Sequence, residues 1–351
     1  MKNLFFGIFD TKKDGIEFAL IFCEENEKKG GNRMQFIDMH CDTLLECYLR
    51  NQPLRKNDLH IDLEKMQRTG GLLQFFAAYL ISGKAAEEEN ITLSPYELFL
   101  EIEKLYRQQL AENRDILAPV ESFADLARNQ QAGKISSLLT IEDGVLLDGR
   151  TERLQILYEK GVRLMTLLWN YENCIGFPHS KDAAEHQRGL KEFGIEVVER
   201  MNDLGMIVDV SHLSEGGFYD VARYSKKPFV ASHSCARALC DHSRNLTDEQ
   251  LKCIAAAGGV VGVNFYAPFL RKDAEVSAIE DITAHIRHMI RVMGEECVAF
   301  GSDFDGIDCR LEMGDYEGFT RLIANLEREF SAETIEKLCF KNVIRVLKEC
   351  I

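Results

Sequence analysis

Short apolar runs alternate with longer amphipathic segments along most of the chain, from Gln35 onward. The short runs are typical of buried parallel strands, and the longer segments are typical of helices that cover one face of a sheet. The pattern predicts strands at residues 36–41, 72–80, 135–141, 162–169, 206–211, 228–232, 260–266 and 298–302. It predicts helices at residues 95–112, 123–129, 152–159, 190–204, 217–224, 248–257, 278–293 and 318–329.

Strands that alternate with helices in this way indicate an α/β fold, and eight such strands indicate a closed (β/α)8 TIM barrel. An open, doubly wound sheet is the alternative. That fold usually carries a glycine-rich phosphate loop after its first strand, and no such loop follows residues 36–41. The chain of 351 residues has room for one barrel with insertions, which we place at residues 34–351 as a single catalytic domain.

Residues 1–33 precede this pattern as an N-terminal appendage. They begin with an apolar patch that is too short and poorly flanked for a secretion signal. Met34 stands directly before the first predicted strand. We therefore expect the segment to be an extra strand or hairpin, or a stretch upstream of the true start codon.

The charge balance limits the partners of the protein. A formal charge of -15 and no basic run oppose binding to nucleic acid or to an anionic membrane surface, because both need clustered cations. No apolar run approaches the roughly 20 residues that span a bilayer. The 11 cysteines are scattered without a Cys-x-x-Cys pair, which is typical of reduced thiols, so we expect a soluble cytoplasmic protein.

Candidate chemistry lies where the predicted strands end, which is where barrels of this kind carry their active sites. Five strands end in residues that can bind a metal or move a proton. These residues are His40 and Asp42 after the first strand, Glu142 after the third, His212 after the fifth, His233 after the sixth and Asp303 after the eighth. Each alone also fits a polar turn, an ion pair or a hydrogen-bonded core histidine, but their convergence on one rim favours a metal site.

The ligand set indicates two metal ions. Mixed imidazole and carboxylate ligands suit zinc, with manganese or cobalt as alternatives. Two dications about 3.5 Å apart repel by roughly 19 kcal/mol at an effective dielectric of about 20, so bridging anions are required. We expect Glu142 to be one bridge and a hydroxide, the nucleophile, to be the other. Asp303 would accept the proton and pass it to the leaving amine, unless it only caps the following segment.

The chain resembles the membrane dipeptidase (renal dipeptidase) family of amidohydrolase-like barrels, over roughly residues 36–347. The resemblance rests on a set of short motifs. They are the Asp-x-His-x-Asp start at 38–42, Gln74-Phe75-Phe76, Ile141-Glu142-Asp143-Gly144, Val208-Asp209-Val210-Ser211-His212, Ala231-Ser232-His233-Ser234, Ser243-Arg244-Asn245, Val263-Asn264-Phe265-Tyr266 and Asp303-Phe304-Asp305-Gly306.

The resemblance implies a zinc pair, hydrolysis of dipeptides, tolerance of a D-residue at the C-terminal position, and a homodimer. It implies that one ion is held by His40, Asp42 and Glu142, and the other by Glu142, His212 and His233. Arg244 matches the family's residue for the terminal carboxylate of the substrate, which a guanidinium fork binds at two points. Tyr266 is expected to line the same pocket, although an aromatic residue at a strand end also fits simple packing.

One position departs from the family pattern. Mammalian members carry a histidine on the fourth strand that polarises the scissile carbonyl, and Trp169 stands there in this chain. Asn170, or the metals themselves, would then have to supply that function. Of the remaining histidines, we expect His285 and His288 to face water and His179 to lie in a connecting segment, while His242 is close in sequence to Arg244.

Two rival functions stay open at this level. Other amidohydrolases, such as deaminases and cyclic-amide hydrolases, typically open with His-x-His and often bridge their metals with a carboxylated lysine. This chain has His40 and Asp42 at the corresponding places and Glu142 as the expected bridge. The second rival is a metal-binding barrel that has lost catalysis, and the presence of Asp303 weighs against it.

Overall fold

The computed structural model describes residues 34–351, and Gln35–Ile351 forms one compact unit. The appendage expected at residues 1–33 lies outside the described residues. In chain order, the strands are β1 Phe36–Asp38, β2 Gly71–Tyr79, β3 Leu117–Pro119, β4 Ile135–Glu142, β5 Val162–Thr166, β6 Ile207–Asp209, β7 Ala231–Ser234, β8 Val261–Val263, β9 Val276–Ser277, β10 Val298–Phe300 and β11 Arg310–Leu311.

Eight of these strands form a parallel barrel. Their order in the sheet is β6-β5-β4-β2-β1-β10-β8-β7. The ring closes between its two ends, where Asp209 forms a parallel bridge with Val230 and the amide of Val210 donates to the carbonyl of Val230 at 2.8 Å. The predicted α/β barrel is therefore confirmed, with all eight predicted strands in the ring.

The remaining strands were not predicted, because they are only two or three residues long. β3 pairs with the first half of β4, where Leu117 lies opposite Ile135, and β9 pairs with β11 away from the barrel. The predicted strands also extend one to three residues beyond most observed C-terminal ends, because the chain leaves the sheet there to form the rim.

Helices surround the barrel. They are α1 Thr43–Arg50, α2 Leu63–Thr69, α3 Gly83–Glu88, α4 Pro95–Glu112, α5 Phe123–Gln131, α6 Glu152–Glu159, α7 Ala183–His186, α8 Glu192–Leu204, α9 Glu215–Tyr224, α10 Asp248–Ala256, α11 Ala267–Leu270, α12 Ile279–Met293, α13 Phe319–Leu326, α14 Ala332–Glu336 and α15 Asn342–Cys350. The start of α4 could be predicted from sequence because it carries a recognisable helix-start signal. Ser94 and Glu97 form a capping box, and Pro95 is the first helical residue.

The core packs behind and beneath the rim. Phe36 of β1 and Phe300 of β10 both contact the ring of Phe319 on α13, at centroid distances of 4.2 Å and 5.2 Å. Phe265 and Phe304, which follow β8 and β10, continue the same aromatic cluster with rings 5.8 Å apart. The strand ends that carry the polar residues are thus fixed from below by buried aromatic packing.

The expectation that His285 faces water is wrong. It is buried on the inner face of α12, where its Nδ1 accepts a hydrogen bond from the amide of Ala236 at 3.0 Å. Its Nε2 lies 2.8 Å from the carbonyl oxygen of Leu270, which accepts from it. His285 therefore ties α12 to the segments that follow β7 and β8. His288, one turn later, contacts the Asp248 carboxylate at 2.7 Å.

Two further observations concern residues 34–351 as a whole. Within them, no helix combines the length and the apolar character that crossing a membrane requires. Every cysteine in this part of the chain has a free thiol. The cytoplasmic location stays a prediction.

Candidate metal centre

The five ligands predicted from the sequence lie together at the C-terminal rim of the barrel. His40 and Asp42 follow β1, and Glu142 is the last residue of β4. His40 Nε2 lies 3.4 Å from Glu142 Oε2 and 3.7 Å from Asp42 Oδ2. The three residues form one group whose ligand atoms all lie within 4.8 Å of one another.

A second group shares Glu142 with the first. His212 Nε2 lies 2.9 Å from Glu142 Oε1, and His233 Nε2 lies 3.5 Å from the same oxygen. The two ring nitrogens face each other at 2.9 Å. One oxygen of Glu142 therefore faces the His40 side and the other faces the pair of histidines, which is the arrangement a bridging carboxylate requires.

The donor set fits a pair of divalent cations. His40 Nε2 and Asp42 Oδ1 are buried and have no hydrogen-bond partner among the described residues, although buried polar atoms are normally satisfied. The outer nitrogens of the other two rings have oxygen partners: His212 Nδ1 lies 3.0 Å from Asn170 Oδ1, and His233 Nδ1 lies 2.8 Å from Ser232 Oγ. When these Nδ1 atoms donate outward, both Nε2 lone pairs point inward as metal ligands.

Buried carboxylates beneath the rim hold these groups in place. Asp209, at the end of β6, accepts hydrogen bonds from the hydroxyls of Thr166 at 2.6 Å and Ser211 at 2.9 Å, and also from Ser232. Ser232 thereby links His233 to Asp209. Around β1, Asp38 accepts from the amide and hydroxyl of Ser302, each at 2.7 Å. Second-layer contacts of this kind orient metal ligands and limit their motion.

Burial and charge set the protonation of the metal-free site. Burial lowers the pKa of His40, but the neighbouring carboxylates of Glu142 and Asp42 outweigh it and hold that pKa well above its usual value. Burial raises the pKa of Glu142 to about 8, and burial lowers the pKa values of His212 and His233 well below the usual range. A cation and a proton would therefore compete for His40 Nε2.

The backbone of the rim is strained where the functional side chains emerge. His212 and Asp303 adopt left-handed conformations, with φ of 69° and 64°. Gly306 makes room for the carboxylates, because a Cβ there would lie 2.0 Å from Asp42 Oδ2 and 2.7 Å from Asp303 Oδ1. A side chain at position 306 would therefore displace both acids.

Asp303, the expected proton acceptor, lies at the edge of the ligand groups. Its Oδ1 is 3.8 Å from His40 Nε2, and its Oδ2 accepts a hydrogen bond from Asn264 Nδ2 at 2.8 Å. Burial raises its pKa. It also belongs to a third candidate ligand group, with His40 and His233. The carboxylate thus has one oxygen oriented by Asn264 and the other directed at the centre.

Arg244 is a buried cation beside the metal centre. A residue that only formed a salt bridge on the protein surface would be exposed. Its side chain is 4% exposed, its Nη2 lies 3.5 Å from the carbonyl oxygen of His233, and its Nε has no hydrogen-bond partner among residues 34–351. The guanidinium lies 5.4 Å from the ring centre of Phe269. Tyr266 packs its ring against the same phenylalanine at 4.9 Å, which places it in this corner of the site.

The side-chain oxygen of Asn170, which was expected to contact substrate, contacts two histidine rings. Its Oδ1 lies 3.0 Å from His212 Nδ1 and 3.2 Å from His179 Nε2. The structure therefore gives this oxygen a part in orienting His212.

His179 lies closer to the metal centre than its place in the sequence indicates. Its Nδ1 lies 2.8 Å from Ser243 Oγ, next to Arg244, and its amide donates to the carbonyl of His212 at 2.7 Å. It does lie in a connecting segment, but Pro178 and Leu213 form a bridge that brings this segment back to the rim. No local sequence signal reveals such a long-range pairing. His242 is close to Arg244 as expected, since its Nδ1 accepts from the Arg244 amide at 3.1 Å.

Known proteins are similar to this chain over most of its length. Residues 26–350 match the membrane dipeptidase family, peptidase family M19. An uncharacterized dipeptidase of Schizosaccharomyces pombe is 33% identical over 337 residues, which cover 90% of this chain and 80% of the relative. A dipeptidase of Claviceps purpurea is 31% identical over 306 residues, covering 86% of this chain and 71% of the relative.

A solved structure is similar over most of its length. It is a metallo peptidase from Rhodobacter sphaeroides, crystallised with a phosphinate mimic of the dipeptide L-Ala-D-Ala. It is 29% identical with a TM-score of 0.83, and the match covers 91% of this chain and 100% of that structure. The family resemblance and the predicted enzyme class, a metal-dependent dipeptidase, are confirmed: the chain belongs to the membrane dipeptidase family, peptidase family M19.

Proposed function

We propose that this protein hydrolyses dipeptides with the help of two divalent ions, which the five ligands described above hold. Zinc is the metal that we propose first. The observation that carries the proposal is the position of Glu142. Its Oε2 lies 3.4 Å from His40 Nε2, and its Oε1 lies 2.9 Å from His212 Nε2. Each oxygen therefore serves a separate ligand group.

The residues around the centre can divide the reaction among them. A pair of bound divalent cations supplies Lewis acidity, which lowers the pKa of water and polarises a carbonyl. Arg244 binds the C-terminal carboxylate of the dipeptide, because its buried guanidinium has a donor, Nε, without a partner among the described residues. Asp303 accepts the proton of the attacking water through Oδ1 and returns it to the amine that leaves. A longer peptide has no free carboxylate at that position, which restricts the substrate to two residues.

A D-residue at the C-terminal position is part of the same proposal. It is supported by the Rhodobacter sphaeroides structure, whose ligand mimics L-Ala-D-Ala. The recognition by Arg244 depends on the carboxylate and not on which face of the Cα carries the side chain.

The test combines metal analysis with hydrolysis. Purified protein is loaded with zinc, its metal content is measured per chain, and it is assayed on Ala-Ala, L-Ala-D-Ala, tri-alanine and a cyclic amide. We expect two ions per chain and hydrolysis of both dipeptides, with tri-alanine untouched. Hydrolysis of the cyclic amide alone would assign a different amidohydrolase activity. Two ions with no hydrolysis of any substrate would indicate a silent metal-binding barrel.

Homodimerisation belongs to the proposal as well and rests on the family resemblance alone. Light scattering on the purified protein measures the mass directly. A mass of twice the 40.0 kDa chain is expected, and a mass of one chain would contradict it.

A further inference from the structure

Three aromatic side chains, Tyr79, Trp169 and Tyr171, stand in a row that we call the aromatic wall. The ring centres of Tyr79 and Trp169 are 5.1 Å apart, and those of Trp169 and Tyr171 are 5.5 Å apart. All three are at least partly open to solvent, and Tyr171 is 39% exposed. Large aromatic surface left uncovered beside a catalytic site is a common feature of ligand pockets.

The wall borders the metal centre through two of its members. Tyr79 is the last residue of β2 and lies directly opposite Glu142 in the parallel register, so both side chains project to the same face of the sheet. Trp169 precedes Asn170, whose Oδ1 contacts His212 Nδ1 at 3.0 Å. The aromatic surface therefore begins at the bridging carboxylate and extends outward from it.

The Tyr79 end of the wall and Arg244 lie on opposite sides of the barrel mouth. In the ring order, β2, β4 and β5 are neighbours, and they carry or immediately precede the wall. β7 lies directly across the ring from β2, and Arg244, which follows β7 in the chain, has its Nη2 3.5 Å from the His233 carbonyl oxygen. Glu142 and the histidines occupy the space between.

We propose that the aromatic wall binds the side chain of the N-terminal residue of the dipeptide and selects large apolar or aromatic residues there. The inference rests on the proposed function. A dipeptide whose carboxylate contacts Arg244 and whose scissile carbonyl lies at the metal centre has its N-terminal residue on the opposite side, where Tyr79 forms the inner end of the wall. An apolar side chain that packs against these aromatic rings buries apolar surface from water, which contributes favourable binding free energy.

The chain offers a direct probe, because Trp169 is its single tryptophan. Its emission therefore reports the wall and nothing else. The zinc-loaded protein is titrated with non-hydrolysable phosphinate mimics of Phe-Ala and of Ala-Ala while the fluorescence is recorded. We expect the Phe-Ala mimic to shift or quench the emission and to bind about tenfold or more tightly than the Ala-Ala mimic.

Substitution of a neighbouring ring tests the assignment without removing the probe. Tyr171→Ala should bring the ratio of the two dissociation constants towards one. Tyr219→Ala is the matched control, because Tyr219 is also a solvent-exposed tyrosine, at 42%, but lies on α9 away from the wall. The control should keep the wild-type ratio.

The outcomes separate this inference from the function on which it rests. Equal binding of both mimics, or an unchanged ratio in Tyr171→Ala, would overturn the aromatic wall as a specificity site and leave the dipeptidase proposal standing. Failure of both mimics to bind, together with no hydrolysis of Ala-Ala or Phe-Ala, would overturn the proposed function and this inference with it.

Discussion

His212 and His233 face each other across 2.9 Å, nitrogen to nitrogen, with Glu142 Oε1 in contact with both. Both outer ring nitrogens have oxygen partners, Asn170 for His212 and Ser232 for His233. Two inward lone pairs at this distance repel unless a cation lies between them and the carboxylate. The stability of the rim should therefore depend on metal.

Removal of metal should destabilise the protein. Ions that bind only the folded state stabilise it by about 4 kcal/mol when their free concentration is about 1,000 times the dissociation constant. Exhaustive chelation should lower the melting temperature measured by calorimetry, and zinc added back should restore it. Glu142→Gln, which weakens the bridge between the two groups, should show a smaller response to zinc. A melting temperature indifferent to chelator and zinc would contradict the metal centre.

Asp303→Asn should separate metal binding from catalysis. The amide keeps the shape of the side chain but cannot accept a proton, so activity on dipeptides should fall by about 10²- to 10⁴-fold. The metal content should stay at the wild-type level. Asp203→Asn, the same change at an exposed position on α8, is the control and should be fully active. An active Asp303→Asn enzyme would remove Asp303 from the proton transfer.

Arg244→Lys should weaken recognition of the substrate carboxylate. Lysine keeps the charge but loses the planar fork, so kcat/KM for dipeptides should fall by about 10- to 100-fold. Dipeptide amides have no terminal carboxylate and serve as the control substrates. Their hydrolysis should be slow with the wild-type enzyme and nearly unchanged in the variant. Equal losses on both kinds of substrate would point to a structural defect instead.

Asn170→Ala should weaken metal binding through His212. Loss of the oxygen that accepts from His212 Nδ1 frees the ring to rotate or to change tautomer, and such losses typically cost about 10- to 100-fold in metal affinity. Asn170→Asp retains an oxygen acceptor and should recover most of that affinity. Competition with a fluorescent chelator measures both. Equal affinities in the alanine and aspartate variants would rule out the orienting role.

Acidification should destabilise the fold through His285. Burial lowers the pKa of His285, so the folded protein keeps the ring neutral while the unfolded chain binds a proton near the usual value of about 6.5. Stability supplied by the neutral ring is present above that pH and is lost as the pH falls below it. Melting temperatures measured between about pH 8 and about pH 5.5 should fall less in His285→Gln than in wild type. A steeper fall of the melting temperature in His285→Gln than in wild type would contradict a stabilising role of the neutral His285 ring.

The barrel and the convergence of the five candidate metal ligands were predictable from sequence because both depend on local rules. A strand buried on both faces is an apolar run, and residues such as His40 and Glu142 stand where such runs end. The same rules place Asp303 at the end of the last strand. The distances between these residues were not needed for the prediction, because closure of the barrel brings the C-terminal ends of the strands together.

The features that were missed depend on contacts between distant segments. His179 reaches the rim only because Pro178 pairs with Leu213, and no pattern near residue 179 encodes that pairing. His285 and His288 lie one turn apart on the same amphipathic helix, yet only His285 points inward. The contacts of Asn170 Oδ1 with His212 and His179 were also not predicted, while its contact with substrate stays a prediction. Side-chain partners of this kind are set by packing, which a single sequence does not specify.

The most direct test of the account is the anomalous scattering of zinc in a crystal of the zinc-loaded protein. Two peaks are expected at the barrel rim on either side of Glu142, one among His40, Asp42 and Glu142 and the other among Glu142, His212 and His233. A single peak, or peaks away from Glu142, would contradict the proposal of a shared carboxylate between two ions.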